Sequence, residues 1–248
     1  MKLGHRFDGD PGARVLALSG SLGSTLDMWD PQLPLAERFR ILRYDHPGHG
    51  SSPPHHEPLA IDDLGAAAVA LLDELRLERI SFCGLSLGGM VGMWLAINAP
   101  SRVDRLVLCC TSAHLGPPEF WDERAELVRR EGMAAVADTV VGRWFTPGFP
   151  DRGRYRAMLL ETDPESYARC CEAIRDMDLR EDLPRIGAPT LVIAGAEDPS
   201  TPVEHAETIV RGIGGSRLFV IPDAAHLANV EGAAAVNHAV LEHVAVAV

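Results

Sequence analysis

The sequence predicts an α/β protein: a mostly parallel central sheet flanked by helices, with a helical lid inserted between two core strands. Three observations predict it. Short β-rich runs alternate with helix-patterned stretches along most of the chain. Each run closes in glycine, proline or small polar residues, as a strand feeding a loop does. Between about His114 and Asp182 the alternation stops, then resumes with two further runs.

The predicted strands cover residues 15–18, 40–44, 80–83, 105–109, 190–194 and 217–221. The first runs into Ser19-Gly20-Ser21, the second into Asp45-His46-Pro47-Gly48-His49-Gly50 and the third into Gly84. A helix over 61–77 opens on Asp62 and Asp63 and lines up Leu64, Ala68, Leu71, Leu72 and Leu75 on one face. A second, over 86–98, is halted by Pro100; others are predicted over 204–212 and 232–246. The interval 114–182 holds charge-laced helical stretches at 119–132, 133–145 and 164–177, with turns at Pro147-Gly148 and Pro150. Residues 1–113 and 183–248 thus form the expected core and 114–182 the expected lid, the alternative being a helical excursion with no covering role.

Composition narrows the function classes. At 248 residues, with 46% hydrophobic and 23% charged, the chain buries a core without help from metals or disulfides. Its net charge of -12 repels polyanions, so neither nucleic acid nor an anionic membrane is an expected partner; a small anion held inside a pocket stays compatible. The five cysteines (Cys83, Cys109, Cys110, Cys170, Cys171) are odd in number and lack CxxC or Cys/His spacing, which points to reduced thiols and no metal. Met1 to Asp10 has no apolar leader region, and no apolar run is long enough to cross a bilayer, so a cytoplasmic protein is expected.

Gly84-Leu85-Ser86-Leu87-Gly88 fits G-x-S-x-G between a predicted strand and a predicted helix, the context of a nucleophile elbow and hence of the α/β-hydrolase fold. A serine hydroxyl needs a base to take its proton. His226 follows the last strand and Asp198 the strand before it, so the catalytic candidates run Ser86, Asp198, His226, in the chain order of that fold. Glu197 is the rival acid. The oxyanion hole is expected from the N–H of Leu87 and one N–H of the loop after the first strand, assigned to Ser21 with Leu22 as its rival by one residue. The histidine-bearing loop from Asp45 to Gly50 reads as scaffold beside the site. Serine at 86, where halide displacement would want a carboxylate, leaves acyl transfer to water.

Across nearly its whole length the chain resembles the 3-oxoadipate enol-lactonases of aromatic-compound breakdown. The resemblance is carried by Ser21-Leu22-Gly23-Ser24, Met28-Trp29-Asp30-Pro31-Gln32-Leu33, Phe82-Cys83-Gly84-Leu85-Ser86-Leu87-Gly88-Gly89 and Ala225-His226-Leu227. In the lid it is carried by Arg143-Trp144-Phe145-Thr146-Pro147 and by Cys170-Cys171-Glu172-Ala173-Ile174-Arg175-Asp176-Met177-Asp178. Departures are Leu87 for the family's methionine, Gly20 for asparagine and Pro47 for arginine. The resemblance implies a small anionic lactone substrate, no cofactor, and ring opening through an acyl-enzyme in the β-ketoadipate pathway. Arg143 and Trp144 are then the candidate charge partner and apolar wall, the alternative being a solvated helix residue and lid core. A carboxylesterase or a C–C bond hydrolase of a ring-cleavage product would share the triad. A non-catalytic ligand-binding member of the fold would not need all three triad positions filled.

Overall fold

A computed structural model gives the fold and describes residues 1–245. Seven strands form one sheet: β1 (His5–Asp8), β2 (Val15–Ser19), β3 (Arg40–Tyr44), β4 (Ile80–Leu85), β5 (Val103–Cys109), β6 (Thr190–Gly195) and β7 (Arg217–Ile221). Their order is β1-β3-β2-β4-β5-β6-β7. Only β1 runs antiparallel, against β3; every other pair is parallel. β4 and β6 are buried along their whole length, as parallel strands covered on both faces must be.

Helix α1 (Ile61–Glu74) starts where Asp63 accepts the Ala60 N–H at 2.8 Å, and α2 (Leu87–Asn98) is buried almost all round beside the sheet. Between β5 and β6 come α3 (Pro118–Glu131), α4 (Ala134–Trp144), α5 (Arg152–Leu160) and α6 (Pro164–Asp176). The chain then adds α7 (Val203–Gly212), a single turn α8 (Ala228–Glu231) and α9 (Ala233–Ala245). Val246, the predicted end of the last helix, lies outside the described residues.

Four local differences from the sequence reading have physical causes. β1 is an edge strand of His5, Arg6, Phe7 and Asp8, without the apolar run that marks the inner strands. Residues Leu26–Glu37 form a 3-10 run containing Pro31 and Pro34, which hide any helical period. Its anchor is Arg43, a buried guanidinium that meets Asp8 at 2.9 Å and Asp30 at 2.8 Å, thereby joining β1, β3 and this run. The third is α5, rich in arginine and with only Tyr155, Met158 and Leu159 buried. Finally, α1 stops at Glu74 rather than 77. Arg76 takes a left-handed conformation (φ 56°), and the Leu77 N–H closes on the Leu72 carbonyl at 2.8 Å, an end normally signalled by glycine.

Candidate active site

Ser86 occupies the turn from β4 into α2 with φ 57° and ψ −117°, a region costly for a residue with a Cβ. The surroundings hold it there. Its N–H donates to the Cys109 carbonyl at 3.0 Å, and the Thr111 hydroxyl donates to the Ser86 carbonyl at 2.7 Å. The flanking glycines are steric necessities: a Cβ on Gly84 would sit 2.1 Å from the Gly88 carbonyl oxygen, and one on Gly88 would sit 2.1 Å from that of Ser19. Such close passage turns the serine outward at the start of a helix, whose first-turn N–H groups lack intrahelical acceptors.

His226, on the loop after β7, is buried and places Nδ1 2.8 Å from Oδ2 of Asp198, which follows β6. Because a carboxylate only accepts, Nδ1 carries the proton and Nε2 is left for a second partner. Asp198 is fixed in turn by its own loop: Oδ1 accepts the Ser200 and Thr201 N–H groups at 2.7 and 3.1 Å, and Oδ2 accepts the Thr201 hydroxyl at 2.7 Å. Burial alone would raise the Asp198 carboxyl, but His226 and the Thr201 bonds outweigh it and hold it below its ordinary range. Glu197, the rival acid, is exposed, with its backbone N–H committed to the Ala224 carbonyl at 2.9 Å. Ser86 and His226 line one cavity of about 250 Å³, together with Ser21, Leu22, Arg143 and Trp144.

The loop after β2 is braced from below. The Gly23 N–H donates to His49 Nε2 at 2.9 Å, His49 Nδ1 donates to the Pro47 carbonyl at 2.8 Å, and His46 Nε2 reaches the Gly20 carbonyl at 3.1 Å. Burial pushes His46 down to about 3 and His49 down to about 4, so both are neutral. The Gly88 N–H closes on the Gly20 carbonyl at 3.0 Å. The Ser21 N–H lies 3.4 Å from Sδ of Met28, a long contact to a weak acceptor, and both Ser21 and its rival Leu22 line the cavity.

The helices between β5 and β6 supply the opposite wall. Trp144 is buried, and its carbonyl accepts the N–H of Leu227, next to His226, at 2.9 Å. Arg143 is half-buried with its guanidinium 5.3 Å from the Phe120 ring centre. Sequence reasoning missed four residues. Arg124 and Phe120 on α3 line the same cavity. Glu231 ties the two walls together, since Oε1 accepts from the Thr146 N–H and hydroxyl at 3.0 and 2.7 Å and Oε2 from the Ala225 N–H at 2.7 Å. Thr201 had a readable signal, an Asp followed within three residues by Ser and Thr. Arg124 had none, because an arginine on a polar helix face looks the same whether it meets solvent or a cavity.

Among the described residues all five cysteines are buried and unpaired in disulfides, no cluster of three potential metal ligands occurs, and no helix is long and apolar enough to cross a membrane.

A nucleophile elbow, a histidine–carboxylate pair and a helix-walled cavity over a mostly parallel sheet define a class, and comparison with known proteins agrees. The alpha/beta hydrolase family matches residues 15–239, and the chain belongs to that family. It is an enzyme, a hydrolase acting on ester bonds. More particularly, it is similar to the 3-oxoadipate enol-lactonases. It is 41% identical to 3-oxoadipate enol-lactonase 2 of Acinetobacter baylyi over 91% of this chain and 86% of the relative. The crystal structure of the enol-lactonase from Burkholderia xenovorans superposes with a TM-score of 0.96 at 39% identity, covering 98% of this chain and 96% of that one. A hydrolase from Pseudomonas aeruginosa superposes with a TM-score of 0.95 at 47% identity, covering 98% and 94%.

Proposed function

We propose that this chain opens the ring of 3-oxoadipate enol-lactone to give 3-oxoadipate, with Ser86 as nucleophile, His226 as base and Asp198 as the group that orients it. The observation that carries the reading is the 2.8 Å His226–Asp198 contact beside Ser86, in a cavity whose far wall bears arginine and tryptophan. The similarity to enol-lactonases supports the substrate.

In this scheme His226 Nε2 takes the Ser86 proton as Oγ attacks the lactone carbonyl. The tetrahedral oxyanion accepts from the Leu87 N–H and from the Ser21 N–H, with Leu22 as the rival second donor. Collapse breaks the ring C–O bond and expels an enolate, which His226 protonates. Water activated by His226 then attacks the acyl-serine and frees the acid, and the enol tautomerises to the ketone. Residues 114–182 act as the lid on a core of 1–113 and 183–248, and they keep bulk water from the acyl-enzyme. The product places the enzyme in the β-ketoadipate pathway.

The test is hydrolysis of freshly generated enol-lactone followed in the ultraviolet, beside p-nitrophenyl acetate and the Ser86→Ala variant. Fast loss of the lactone, slow acetate cleavage and an inactive variant are expected. Good ester cleavage with an untouched lactone would keep the triad and discard the substrate.

A further inference from the structure

The loop of residues 20–24, between β2 and the 3-10 run, is pinned at its two ends by different partners. At Gly20 the carbonyl accepts the Gly88 N–H from α2 at 3.0 Å and also meets His46 Nε2 at 3.1 Å. At the other end the Gly23 N–H donates to His49 Nε2 at 2.9 Å. Ser21 and Leu22, the two candidates for the second oxyanion donor, lie between these pins, and both line the cavity of Ser86 and His226. The height of their N–H groups above the nucleophile is therefore set at one end by the elbow itself and at the other by a histidine.

His49 is fully buried, and its Nδ1 donates to the Pro47 carbonyl at 2.8 Å. A carbonyl only accepts, so the tautomer is fixed with the lone pair on Nε2, toward the Gly23 N–H. Burial keeps the ring neutral, so that lone pair persists at ordinary pH. The segment carrying His49 is seated on several neighbours. The Asp45 carboxylate accepts the Leu26 and Ser51 N–H groups at 2.6 and 2.8 Å, and the His49 N–H closes on the His46 carbonyl at 3.0 Å. From the start of α6 the Asp163 N–H donates to the Gly48 carbonyl at 2.9 Å. A Cβ on Gly48 would sit 2.2 Å from that of Ser166, so this approach of the helix requires glycine there. A firmly seated imidazole gives Gly23 an acceptor of fixed position.

We propose that His49 is a positioning residue for the hydrolysis: by accepting the Gly23 N–H, its Nε2 holds the second oxyanion donor at the height the tetrahedral intermediate needs. The side chain acts through the loop and touches no substrate. The proposal rests on the reading of Ser86 as the nucleophile of the same cavity, and it holds for any ester that Ser86 attacks.

The test uses 4-nitrophenyl butyrate as substrate and 1-butylboronic acid as a probe that becomes a tetrahedral anion on a serine nucleophile. Active sites are counted with a fluorophosphonate, well below the Tm of every variant. His49→Leu keeps the volume and removes the acceptor. Its kcat per site should fall about tenfold to a hundredfold, the loss expected from a donor misplaced by a fraction of its bond length. KM should move by less than about threefold, and the Ki of the boronate should rise by about the factor lost in kcat/KM. A purely structural role would reduce the number of active sites and leave kcat per site and the boronate Ki in place, which would overturn the proposal. His49→Gln can bring Oε1 to the place of Nε2 and should recover most of both, whereas His49→Asn is too short to do so. Equal losses in these two variants would also overturn it, and that comparison stands even where His49→Leu does not fold. Undiminished cleavage by Ser86→Ala would sink the nucleophile assignment and this proposal with it. An inactive Ser86→Ala beside an unaffected His49→Leu would sink the proposal alone.

Discussion

The two walls of the cavity are built on different principles. On the sheet side, Ser86, Asp198 and His226 sit on loops after parallel strands, and the Ser86 backbone, the Asp198 carboxylate and His226 Nδ1 are tied to neighbouring backbone or to one another. On the helical side, Arg124 and Arg143 meet no carboxylate among the described residues and rest on an aromatic ring. The difference teaches where rigidity is needed. Under the proposed roles, the groups that move a proton are fixed by buried backbone and by one another, whereas the lid arginines meet no carboxylate among the described residues. Changes on the sheet side should therefore act mainly on kcat, and changes on the helical side on KM and selectivity.

Removing the nucleophile tests that contrast most severely. Ser86→Ala should lose about 10⁵- to 10⁶-fold in kcat for any ester, as in other triad hydrolases, with an unchanged melting curve. A residual rate within tenfold of wild type would mean that another group attacks. Asp198→Asn keeps the shape of the pair but favours the wrong imidazole tautomer, and a loss of about 10⁴-fold in kcat is expected. If activity survives in that variant and falls in Glu197→Gln, the acid has been misassigned.

Glu231 is the place where the two walls meet, so it sharpens the comparison. Glu231→Gln weakens charge-assisted bonds to both Ala225 and Thr146, at a cost of about 1.5–3 kcal/mol in stability, with kcat and KM both affected. An effect on KM alone would show that the His226 loop does not depend on this bridge. For Arg143→Ala the expected outcome is a KM for the enol-lactone raised about tenfold or more, well beyond the change for a neutral ester. Equal changes for both substrates would remove Arg143 from charge recognition.

The smallest effect concerns acid stability, measured as Tm against pH. Burial holds His46 and His49 neutral, at about 3 and about 4, below the ordinary value of 6.5. Between those values the unfolded chain binds more protons than the folded one, so this contribution is complete above about pH 6.5 and is lost as pH falls toward 3. His49→Gln retains an acceptor for the Gly23 N–H and should flatten part of that slope. A wild-type Tm that is level from pH 6.5 to 4 would show that these rings are not kept neutral by the fold.

The sequence by itself determined six of the seven strands, the elbow around Ser86 and the order Ser, Asp, His, because each is written locally. Alternation of apolar runs with small residues marks strand ends, and two glycines about a serine mark a passage that admits no Cβ. Only the tertiary structure decided what depends on contacts between distant segments. The Met28 sulfur, seven residues on, comes within 3.4 Å of the Ser21 N–H. Glu231 reaches Thr146 across 85 positions of sequence, and α3 brings Arg124 over the rings beside Arg143. β1 and the run from Leu26 to Glu37 escape a sequence reading for the same reason: a buried arginine holds them in place, and no periodic apolar face announces them. Local patterns record backbone geometry, while partner choice among polar side chains is settled only when the chain packs.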